Sequence, residues 1–241
     1  MIILGLTIEK ISEFQMDIYQ YFLTFESDGM GGGTLVLDTT SNVLFTLPFY
    51  VLVAMFLLLS AVAHMLIAFP KNKMYNEGLE KGINKLRWFE YALSSSLMIV
   101  LIAYLFGIYD IASLILIFVV NASMNLFGLV MEQLNSGKEK NNVDWTPFIW
   151  GSIAGITPWI VIVLYMTGAP AEVIDQTPWF VWAIVVTYFI AFNTFPINMI
   201  LQYVGKGKWS NYIYGERGYI VLSLVAKTVL AWLVFAGAMQ P

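Results

Sequence analysis

Six long apolar stretches dominate the chain, at residues 43–69, 87–109, 111–134, 145–169, 177–204 and 213–239. Each meets the ~20 residues a helix needs to cross the hydrocarbon core of a bilayer. The runs are continuous rather than alternating, and they carry Leu, Ala and Met beside Ile and Val, which points to helices rather than barrel strands. Residues 1–25 repeat apolar side chains at helical spacing, Ile11, Phe14, Ile18, Phe22 and Phe25, but Glu9, Lys10, Glu13 and Asp17 interrupt them. The expectation is a polar-faced first span; the competing reading is an amphipathic helix lying on the membrane surface. A basic start and a small-residue cleavage site are missing, so a signal peptide is not expected. Between this segment and the next, Thr34–Thr40 alternates as a short strand or hairpin outside the membrane would. The expected fold is therefore an all-α membrane protein, one seven-transmembrane-helix bundle over residues 1–241, with a short extracellular strand or hairpin between helices 1 and 2.

Composition changes this picture little and narrows the chemistry. The chain is 59% hydrophobic and 12% charged, with a mean hydropathy of +0.74. Soluble domains carry about 25% charged residues, so lipid is the natural solvent for this chain. It has no cysteine and one histidine, His64, which excludes thiolate chemistry, disulfides and multi-histidine metal sites. The net charge of −4 carries no sign of a nucleic-acid surface.

The distribution of cations sets an orientation. Lys71, Lys73, Lys81, Lys85 and Arg87 cluster after the 43–69 stretch, Lys138 and Lys140 after 111–134, and Lys206, Lys208 and Arg217 after 177–204. The alternate loops, 27–42, 107–110 and 169–177, contain no Lys or Arg. The positive-inside rule puts the basic loops in the cytoplasm. With seven spans the N-terminus is cytoplasmic and the C-terminus extracellular.

Only Lys10 and Lys227 lie outside these clusters, and Lys227 sits at the middle of VLSLVAKTVLAWLVFAGAM. A lysine at that depth costs about 2.5–3.5 kcal/mol even on insertion scales. It either pairs structurally with an acid or serves as a covalent attachment point, since a buried amine condenses readily with an aldehyde. A protonated Schiff base needs an anion, and Glu90 in RWFEYALSSSLMIVLIAYLFG is the candidate. The alternative makes Glu90 a membrane-edge partner of Arg87. Glu90, Ser94 and Met98 share one helix face, as do Ser223 and Lys227. His64, one turn after Ser60, is either a proton relay or a packed histidine. Asn121 is a buried amide in need of partners, equally suited to joining helices. Aromatic residues, among them Trp159 and Phe192, lie near Pro158 and Pro196 and suit the walls of a slot for a polyene.

The segments RWFEYALSSSLM, LLLSAVAHML, FNTFPINMILQY and GKWSNYIYGERGYIVLSLVAKTVLAW, together with VFAG, resemble the heliorhodopsin family over residues 43–240. The resemblance implies all-trans retinal on Lys227, Glu90 as its sole carboxylate counterion, and a polar neighbourhood of Ser60, His64, Ser94, Asn121 and Ser223. It also implies a homodimer and a slow photocycle, usually without ion pumping. The first segment departs from the family pattern: of the His and Gln found there, only Gln15 offers a counterpart.

The residues favour a sensor over a pump. The 87–109 stretch has no acid after Glu90, and the position one turn before Lys227 is Ser223. The expectation is a light sensor, not an enzyme, in the cell membrane, signalling to a cytoplasmic partner of unknown identity. The alternative is a light-activated proton conductor using Glu9, Glu13 and Asp17, which fall at i, i+4 and i+8. A retinal-free transporter is a third reading.

Overall fold

The computed structural model describes residues 15–27, 29, 32–38 and 43–238. Its elements are β1 (Gln15–Tyr19), β2 (Phe22–Ser27), β3 (Gly33–Asp38), β4 (Val43–Pro48), α1 (Phe49–Ala68), α2 (Asn72–Glu80), α3 (Lys85–Leu105), α4 (Ile111–Asn135), α5 (Thr146–Gly168), α6 (Ala171–Gln176), α7 (Trp179–Val204) and α8 (Tyr212–Ala238). Among the described residues six helices, α1, α3, α4, α5, α7 and α8, are long and apolar enough to cross a membrane. They occupy the six apolar stretches of the sequence.

α3 is the most enclosed of these helices and lies at the centre of the packing. Asn84 caps its start, accepting from the Arg87 N–H at 3.1 Å. Its side chains Met98, Ile99 and Ile102 join Phe56 of α1, Trp159 and Ile162 of α5, Ile184 and Tyr188 of α7, and Leu230 of α8 in one core. Such packing needs no further driving force than close fit, because lipid is as apolar as the side chains it replaces.

The first segment differs from the expected helix. Residues 15–19 are a strand, paired antiparallel with β4, and 22–27 are a strand paired with β3. Met16 and Ile18 are buried in the core while Gln15, Asp17 and Tyr19 point the other way, a period of two rather than 3.6. Ile18, Phe22 and Phe25 therefore share no helix face. A short apolar run reads equally as helix or strand, and the ladder that decides it comes from Val43–Pro48, distant in sequence. The same pairing trims the 43–69 stretch, whose first six residues are β4; the helix starts only after Pro48.

Asp17 accordingly sits in β1, accepting from Thr46 Oγ1 at 2.6 Å, and is not part of a helical acidic stripe. Glu9 and Glu13, like Ile11 and Phe14, lie outside the described residues. The alternating segment 34–40 is a strand as far as Asp38.

The strands and the basic loops occupy opposite ends of the bundle. At one end Tyr19 N–H donates to the Tyr109 carbonyl at 2.9 Å and Asp17 N–H to Tyr104 Oη at 2.9 Å, beside the lysine-free turn after α3. At the other, Ser136 Oγ donates to the Lys81 carbonyl at 2.7 Å. The lysine-rich connector 70–86 holds a helix, α2, that the sequence pattern did not announce.

Candidate functional site

Lys227 is 5% exposed, and its Nζ lies 2.5 Å from Glu90 Oε1 and 2.5 Å from Ser60 Oγ. Ser60 Oγ also donates to Glu90 Oε1 at 2.7 Å. The three residues come from α8, α3 and α1, so the site exists only where those helices meet. Glu90 pairs with the amine and not with Arg87, which turns to other partners. Position explains the choice: Glu90 is one turn deeper than Arg87, on the face of α3 turned to Lys227.

Lys227 also lines a cavity of about 320 Å³. Ser94, Met98, Trp159, Phe192 and Ser223 line it too, as their sequence positions led one to expect. Its walls further include Tyr188 and Phe195, from the aromatic run near Pro196, and Trp88 and Tyr91, which sequence reasoning did not single out. Trp159 packs edge-on against Phe192 with ring centroids 5.7 Å apart, and Tyr91 against Phe195 at 5.5 Å. Small residues open the space. A Cβ on Gly128 would run into the Trp88 indole, and one on Gly155 would stand 2.6 Å from Met124 Sδ. Gly151 and Gly155, four residues apart in TPFIWGSIAGITPW, were the available signal for that wall.

Four expected site residues stand apart from the cavity, Ser60 through its place between Lys227 and Glu90 and three others. Asn121 lies behind it, donating to Ser95 Oγ at 2.9 Å and Ser96 Oγ at 3.0 Å, and so ties α4 to α3. Glu90 meets the amine but not the cavity wall. His64 is exposed, and its Nδ1 lies 2.7 Å from the Ser60 carbonyl. A carbonyl only accepts, so Nδ1 carries the proton there.

A second buried ionic group went unnoticed in the sequence. Arg87 NH2 pairs with Glu132 Oε1, and NH1 with Glu216 Oε1. Asn84 N–H donates to Glu132 Oε2 at 2.8 Å, Asn84 Nδ2 to Glu216 Oε2 at 2.9 Å, and Tyr212 Oη to Glu132 Oε1 at 3.2 Å. Glu132 falls inside the 111–134 stretch and Glu216 inside 213–239; an acid within an apolar stretch is itself the signal. The Arg87 guanidinium stacks over the Trp88 ring at 4.5 Å and the Tyr219 ring at 3.9 Å.

The cavity, apolar and aromatic with an amine in its wall, suits a long apolar molecule that carries a carbonyl. Ser94 Oγ and Trp159 Nε1 are buried without a partner among the described residues, so polar atoms remain for an occupant. A helical membrane protein that sets a buried amine and one carboxylate against an aromatic cavity belongs to the class that holds a chromophore inside its bundle. Residues 1–239 match the heliorhodopsin family, and the chain belongs to it. The membership makes it a membrane rhodopsin that senses light with retinal, a photoreceptor rather than a classical enzyme. No curated protein matches the chain.

Proposed function

We propose that the protein senses light through all-trans retinal joined to Lys227 Nζ as a protonated Schiff base, with Glu90 as its counterion. The carrying observation is the contact of Lys227 Nζ with Glu90 Oε1 at 2.5 Å in the wall of an aromatic cavity. Retinal, when bound, supplies the light absorption and the change of shape that follows it. The chain supplies the rest. Glu90 balances the cation, Ser60 orients Glu90 by its hydroxyl, and Trp159 and Phe192 confine the polyene. Ser94 and Ser223 line the cavity as the remaining polar groups, and Met98 packs beside them.

The site favours signalling without net pumping. Past Glu90, the buried residues of α3 carry no carboxylate, and Ser223 stands where an onward acid would be needed. A proton leaving the amine stays local; the imidazole of His64, held by the Ser60 carbonyl, is the acceptor we assign. The conductor alternative loses its geometric support at Asp17, which sits in a strand.

The remaining expectations complete the proposal. Residues 1–241 form one domain whose six spans put the basic loops in the cytoplasm and the strands and the C-terminus outside; the expected seventh span and cytoplasmic N-terminus fall to residues 1–14, which lie outside the described residues. The strands and the lysine-rich loops lie at opposite ends of the bundle, which supports that orientation. The protein works as a homodimer and signals to a cytoplasmic partner.

The test is the visible spectrum of the protein with added retinal. Lys227→Ala and Lys227→Arg should both abolish the pigment while the protein still inserts. A visible band in either variant defeats the attachment. A tag after Pro241 should be reachable from outside intact cells; reach only after permeabilisation defeats the orientation.

A further inference from the structure

We propose that Glu132 and Glu216 form a proton-binding site, in which one proton sits on Glu132 at neutral pH and exchanges with the basic-loop side through a cavity beneath α2. This site is separate from the Lys227–Glu90 pair and does not depend on retinal.

Charge count is the first argument. Two carboxylates face one guanidinium, and all three side chains are nearly sealed from solvent, at 2% exposure for each Glu and 4% for Arg87. The other facing groups are neutral: Tyr212 and Tyr219 of α8, Tyr203 of α7, Tyr75 of α2 and Trp88 of α3. An arginine does not give up its proton. The group therefore carries one negative charge in excess, unless a proton removes it. Two carboxylates sharing a buried site do not both ionise readily, and an unbalanced buried charge is costly. The donors from Asn84 and Tyr212 offset part of that cost but not the charge.

Hydrogen-bond direction places the proton. Glu216 Oε1 and Oε2 face Arg87 and the Asn84 amide, which donate and cannot accept. Glu132 Oε1 also meets the Tyr212 hydroxyl at 3.2 Å, a contact that can accept as well as donate. A proton on Glu132 Oε1 forms its O–H bond there and is accepted by the Tyr212 oxygen. Glu132 Oε2 keeps the Asn84 N–H, and Glu216 stays ionised on Arg87.

The route is a cavity of about 210 Å³ beneath α2, bounded by Tyr75, Gly78, Ile83, Asn84 and Lys85. Asn84 thus touches both this cavity and both carboxylates. Tyr75 reports the same proximity: its phenol is held above the ordinary value by burial and then by Glu216. At the inner side, the Arg87 Nε–H has no partner among the described residues, and the guanidinium stacks on Trp88 and Tyr219, which line the 320 Å³ cavity. Filling or emptying the proton site changes one of Arg87's two anchors, and so reaches those rings.

Infrared spectra of the retinal-free protein test the site. At neutral pH the wild type should show a protonated-carboxyl C=O band that disappears as pH rises and moves promptly in D2O. Glu132→Gln and Glu216→Gln should each lose it, the first by removing the protonated group and the second by removing the excess charge. Glu90→Gln should keep it. A wild type without the band, a band that survives in both cluster variants, or one that does not exchange in D2O overturns the proposal. Because no pigment is involved, failure of retinal attachment at Lys227 leaves this result readable by itself.

Discussion

Two buried ion groups sit at different depths on the same central helix, and they are built for opposite purposes. Arg87 meets two carboxylates, Asn84 donates to both, and the Tyr212 hydroxyl meets Glu132. Lys227 meets one carboxylate and one hydroxyl, beside open space. A guanidinium stays charged and forks between two acids. An amine is a compact charge that burial makes reactive, and it can exchange its protons for a carbon bond. The first group ties α3, α4 and α8 together near the basic loops. The second leaves a reactive atom facing a cavity. Burial of a charge pair thus says little about its role until the saturation of its contacts and the space around it are known.

The largest effect should come from breaking the saturated group. Arg87→Met leaves Glu132 and Glu216 with no cation, a change that costs about 3–5 kcal/mol when a buried pair loses one partner. Thermal unfolding in detergent should register a lower midpoint than for Lys227→Met in retinal-free protein. There the lone Glu90 can take up a proton and keep its bond to Ser60. A greater loss for Lys227→Met would reverse the comparison.

Next in size is the spectral contrast between the two acids. Glu90→Gln removes the anion beside the amine, so the retinal-loaded protein should move to a near-ultraviolet form at neutral pH, or to the red if another anion takes its place. Glu132→Gln should leave a visible pigment with a far smaller shift. Equal shifts in the two variants would erase the distinction drawn between the sites.

Transport offers a third contrast, between the sparse site and the strand that was a candidate proton path. Illuminated vesicles should show no sustained current, and Asp17→Asn should change nothing. A light-dependent current that disappears in Asp17→Asn would restore the conductor reading.

The smallest effect belongs to Ser60→Ala. It removes one hydroxyl from the Lys227–Glu90 pair, and a hydrogen bond to a charged group contributes about 1.5–3 kcal/mol. The pigment should still form but bleach faster in hydroxylamine in the dark. A bleaching rate equal to wild type would mean that the hydroxyl does not hold Glu90 in place.

Much of this architecture was legible along the chain, for a physical reason. Lipid demands long, continuous apolar helices, so the six spans show in composition alone, with ends within a few residues for five of them. Lys227 and Glu90 were legible because an ion inside an apolar stretch is rare and needs a partner. Membership in the heliorhodopsin family agrees with the motifs around both. The same rule applied to Glu132 and Glu216 would have flagged the second group.

What the tertiary structure decided is pairing. Whether 15–25 is helix or strand depends on Val43–Pro48 offering a ladder, a contact that no local spacing encodes. Arg87 had Glu90 three residues away, yet the acids it meets lie 45 and 129 residues along. Asn121 joins helices instead of facing the cavity, because its side chain meets Ser95 and Ser96 first. Sequence fixes which groups must be satisfied inside the membrane; the crossing of α1, α3, α4 and α8 determines which of them satisfies which, and leaves the amine of Lys227 beside an open space.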